Sequence, residues 1–63
     1  MTPDETIQFL AEAATKQAEL ANKAFQHQDF TVALDRLNQI SIYLDRMRAI
    51  IHDATLATTH PAN

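Results

Sequence analysis

Cysteine is absent from this chain, and so is glycine. The first absence excludes disulfides and thiolate metal sites. The second argues against a sheet, because small sheet proteins need several tight turns whose positive-φ positions call for Gly or Asn. Both prolines, Pro3 and Pro61, stand near the ends, so nothing between them is built to break a helix. Basic residues are few: five Lys and Arg against eight Asp and Glu, a net charge of −3. That balance gives little attraction to phosphate or to an anionic membrane. No stretch approaches the ~20 apolar residues of a membrane span. Met1–Ile7 carries acids where a secretory leader would carry a basic start. The expectation is a soluble, cytoplasmic protein with no membrane partner.

What is present suits helices. Hydrophobic residues make up 46% of the chain, and many are alanine. At 63 residues the chain is near the lower limit for a domain that folds unaided. Without disulfides, association is the expected source of the missing stability.

The chain opens on a start signal. Thr2 can cap a helix, Pro3 suits its first position, and Glu5 stands where a capping box places an acid. Ile7, Leu10, Ala14, Ala18, Ala21 and Phe25 then recur at three- and four-residue steps along one helical face. Glu12 with Lys16, and Glu19 with Lys23, are spaced for i,i+4 ion pairs on the other side. Gln26-His27-Gln28-Asp29 interrupts the pattern, and Asp29 is a reasonable N-cap for a second helix. Phe30, Ala33, Leu37, Ile40, Leu44, Met47, Ile51 and Ala54 alternate steps of three and four without a break, as a coiled-coil seam does.

The predicted architecture is all-α: an antiparallel two-helix hairpin over residues 1–57. Helix 1 is expected at about 3–26, the turn at 27–29, helix 2 at 30–57, and a flexible tail at 58–63. A single continuous helix is the competing reading, because no glycine marks the turn. Against it, the step from Phe25 to Phe30 is five residues, and the two seams do not run in phase. Leu37, Ile40, Leu44, Met47 and Ile51 are expected to carry the fold. Two such hairpins would close their wet edges by pairing into a four-helix bundle, so a homodimer is expected.

The turn carries a local resemblance. Leu20-Ala21, Asp29-Phe30, Ala33 and Leu37 fall where a tetratricopeptide-type helix–turn–helix has its first-helix leucine and small residue, its acidic–aromatic pair and its packing positions. Residues 17–40 therefore resemble one such unit. Gln17 and Gln28 replace that motif's opening aromatic and turn glycine, the closing proline is missing, and no second repeat is present. The resemblance implies a shared hairpin geometry only and does not carry a peptide-binding function across.

No catalytic, cofactor or metal set emerges. His27 lies in the expected turn and His52 near the far end of helix 2, about a helix length apart. Ser41 is the only serine and is expected to return its hydroxyl to a backbone carbonyl. The expected function is a non-catalytic, self-associating module that binds another protein as adaptor, regulator or inhibitor. Ile42, Tyr43, Ala49 and Ile50 form the expected partner-binding strip, because helix 2 carries more apolar surface there than one seam requires. The alternative is an RNA-binding dimeric bundle of the plasmid ROP type, with which only the general architecture is shared. Lys16, Lys23, Arg36, Arg46 and Arg48 make no basic stripe, which disfavours it.

Overall fold

The structure, a computed structural model, describes residues 2–59. Two helices make up the fold: α1, Pro3–Gln26, and α2, Phe30–Thr59. They pack against each other as an all-α hairpin, so the single continuous helix is ruled out. The molecule is a rod of 57 × 16 × 13 Å. α2 continues two residues beyond the expected end at 57. The tail expected at 58–63 thus begins inside the helix, and positions 60–63 lie outside the described residues.

The start of α1 is fixed as its sequence dictates. Glu5 donates its backbone N–H to Thr2 Oγ1 at 3.2 Å, and Thr2 donates its own to Glu5 Oε1 at 2.9 Å. This reciprocal pair satisfies amides that a helix N-terminus leaves unbonded. The Thr2 backbone N–H, and then its hydroxyl, hold the Glu5 carboxyl below its ordinary value of 4.5.

The turn is made without glycine by placing Gln28 in the left-handed region, at φ 60°. Gln28 donates to the Phe25 carbonyl and Asp29 to the Ala24 carbonyl, each at 2.9 Å. This is a Schellman closure with a side chain where glycine is usual. Asp29 then starts α2, its carboxylate accepting the Val32 N–H at 3.4 Å and its carbonyl accepting the Ala33 N–H at 3.0 Å.

The contact between the helices is thin. Among the described residues only Leu10, Ala21, Ala24 and Ala33 are buried. Three of these four are alanine, so the helices approach closely but bury little apolar area. Beyond Ala33, the side of α2 turned to α1 carries the half-buried Arg36, Ile40, Tyr43, Met47 and Ile50. That corrects the expected core. Ile40 and Met47 face inward, but Leu37, Leu44 and Ile51 stay exposed. The seam is split lengthwise, one half against α1 and the other turned outward.

Candidate functional site

The outward half of the seam is a row. Phe30, Leu37, Leu44 and Ile51 recur at seven-residue intervals and are 53%, 50%, 42% and 55% exposed. A seven-residue interval drifts only about 20° around a helix, so the four make one line along α2. α1 adds to the same side at the turn. Phe25, 63% exposed, sets its ring 5.5 Å from that of Phe30 at 52°. Eighteen residues are five full helical turns, so Ile7 lies on the same face of α1 as Phe25. Ala14 and Ala18 stand between them.

At the other end of the rod an open apolar groove of about 540 Å³ lies between the two helices. Pro3, Ile7, Ile50, Ile51 and Ala54 supply its apolar lining, and Asp4 and Thr55 border it. One face of the hairpin therefore has an aromatic projection at the turn and an apolar recess at the open end.

The expected partner-binding strip does not lie on a single surface. Ile42 and Ala49 are exposed, whereas Tyr43 and Ile50 are half-buried on the side turned to α1. Consecutive residues point about 100° apart on a helix, which separates the two pairs. Ile50 also lines the end groove. The Phe30–Leu37–Leu44–Ile51 row, marked in the sequence by its unbroken heptad spacing, is a further exposed apolar surface of α2.

Charge reaches this row at Arg48, which stands eighteen residues, or five full turns, beyond Phe30 and so in line with it. Arg36 turns across the opposite side and donates from Nη1 to Gln17 Oε1 at 3.2 Å. Arg48 pairs with Asp45 at 3.3 Å, the sole ion pair among the described residues. The Glu12–Lys16 and Glu19–Lys23 spacings do not close into ion pairs. Ser41 is exposed and its hydroxyl does not return to a backbone carbonyl, whereas the hydroxyls of Thr6, Thr15 and Thr55 donate to carbonyls four positions back. Among the described residues no group of His, Asp and Glu is gathered to hold a metal ion, and no helix is long and apolar enough to cross a membrane.

Comparison with family models, with curated proteins and with solved structures finds no match to this chain.

Proposed function

We propose that this chain is a non-catalytic protein-binding module that works as a self-associating helical hairpin. The observation that carries the reading is the distribution of apolar side chains. Among the described residues the buried set is one leucine and three alanines, while Phe25, Phe30, Leu37, Leu44 and Ile51 are left at the surface. Large aliphatic and aromatic groups in an unbroken row mark a contact surface, since each contributes about 1.5–3 kcal/mol when fully buried. Pairing two hairpins into a four-helix bundle is the arrangement that covers such a row. The exposed Ile42 and Ala49, on a different side of α2, are the part of the expected strip left for a second protein, as an adaptor, regulator or inhibitor would need.

The tetratricopeptide-like segment at 17–40 enters this reading only as hairpin geometry, with Ala33 as the small residue at the close approach. A cytoplasmic location accords with the lack of cysteine. RNA binding draws less support, because Arg36 is engaged with Gln17 and Arg48 with Asp45.

Light scattering after gel filtration, with circular dichroism on the same samples over a range of concentrations, tests the proposal. A helical species at a multiple of 7.1 kDa is expected. A helical monomer at every concentration would remove self-association and leave a heterologous protein as the occupant of the row.

A further inference from the structure

The apolar face is complementary to itself, and only in one direction. Its projection, the Phe25–Phe30 ring pair, lies at the turn, and its recess, the groove between Ile7 and Ile51, lies at the open end. Between them runs the row of α2, in which Leu34, Leu37, Ser41 and Leu44 carry no ionisable group; Arg48 is the first charge met, already paired with Asp45. A parallel pairing of two copies would set rings against rings and leave both grooves empty. An antiparallel pairing about a two-fold axis near Ser41 sets Phe30 of each copy opposite Ile51 of the other, and Leu37 opposite Leu44. Each ring pair then enters the other copy's groove, and symmetry makes the closure occur twice.

The occupant follows from this self-complementarity: a face that carries a projection at one end and a matching recess at the other fits a second copy of itself. Resting on the self-association proposed above, we infer that the face formed by Phe25, Phe30, Leu37, Leu44 and Ile51 is an antiparallel homodimer interface, with the Phe25–Phe30 pair of one copy seated in the Ile7–Ile51 groove of the other.

The absence of native cysteine makes the test direct. Phe30→Cys and Ile51→Cys chains are prepared separately, mixed, exchanged and oxidised. The expected product is the mixed disulfide dimer, with neither chain cross-linking to itself. In this register two copies of position 30 lie about 30 Å apart along the axis, far outside disulfide reach. Leu37→Cys with Leu44→Cys repeats the measurement nearer the two-fold axis, should loss of Phe30 or Ile51 weaken association. Leu37→Glu should halve the solution mass while the helical spectrum persists. Self-cross-linking of both members of a pair would show parallel packing, and dimers without any cross-link would place the interface elsewhere. Either result overturns the inference and leaves self-association standing, whereas a monomeric wild-type chain overturns both.

Discussion

Asp29 donates its backbone N–H to the Ala24 carbonyl at 2.9 Å, closing the loop that reverses the chain around Gln28. The bond holds Gln28 at φ 60°, where its Cβ crowds the backbone. An L-residue in this region costs about 1–2 kcal/mol, which glycine avoids, although glycine also gives more freedom to the unfolded chain. Gln28→Gly should therefore stabilise the hairpin by about 0.5–1 kcal/mol. The gain is read as a higher urea midpoint with an unchanged slope. A loss of stability would mean that the turn is not left-handed at this residue.

Leu10 and Leu37 should separate the two kinds of apolar contact. Leu10 is 5% exposed within one hairpin, so Leu10→Ala should cost about 2–5 kcal/mol at any chain concentration. Leu37 is half exposed, and in dilute, monomeric samples Leu37→Ala should stay within about 0.5 kcal/mol of wild type. At concentrations where the chain associates, its cost should rise. Urea titrations at two widely separated concentrations check both statements. A concentration-independent penalty at Leu37 would place that side chain in the monomer's own core.

What the sequence makes legible here depends on how local the cause is. Thr2, Pro3 and Glu5 set the start of α1 through neighbouring amides, and Asp29 sets the start of α2 in the same way, so both were readable from residue type and spacing. Heptad spacing likewise marks the apolar stripe of α2, because it records which residues share a face. It does not record which of them α1 covers. The arc from Phe30 to Ala54 is wide enough to meet two neighbours, and α1 takes only the Ala33–Ile40–Met47 side. Tyr43 and Ile50 turn toward α1 for the same reason. The alanine-rich face of α1 lets α2 roll until Arg36 can span to Gln17, and nothing in the α2 pattern by itself fixes that roll.

The capping box adds a pH dependence whose sign is set by Glu5. Its carboxyl is held below 4.5 by the Thr2 backbone N–H, so the ionised form is favoured in the folded chain. The contribution is complete above the unfolded value and is lost as pH falls through the lowered folded value. Glutamine keeps a side-chain oxygen for the same bond but has no proton to gain. Between about pH 6 and pH 3, Glu5→Gln should therefore lose less stability than wild type. The other acids titrate in both chains and cancel in the comparison of urea midpoints. Equal acid losses would show that the box is not formed in solution.

Ile42 decides whether α2 has a second use. It is 57% exposed, and with Ala49 it lies away from both α1 and the heptad row, on a side where a solvated helix ordinarily carries charge. A glutamate there meets water in the hairpin and remains outside the antiparallel dimer, so Ile42→Glu should leave helicity and solution mass unchanged, with stability within about 0.5 kcal/mol of wild type. If a second protein binds through Ile42 and Ala49, its affinity for the variant should fall at least tenfold, about 1.4 kcal/mol, because the new carboxylate would have to be buried without a partner. Circular dichroism and light scattering on the variant come first. A fall in either would assign Ile42 to the self-association surface and leave the heterologous docking site without its central residue.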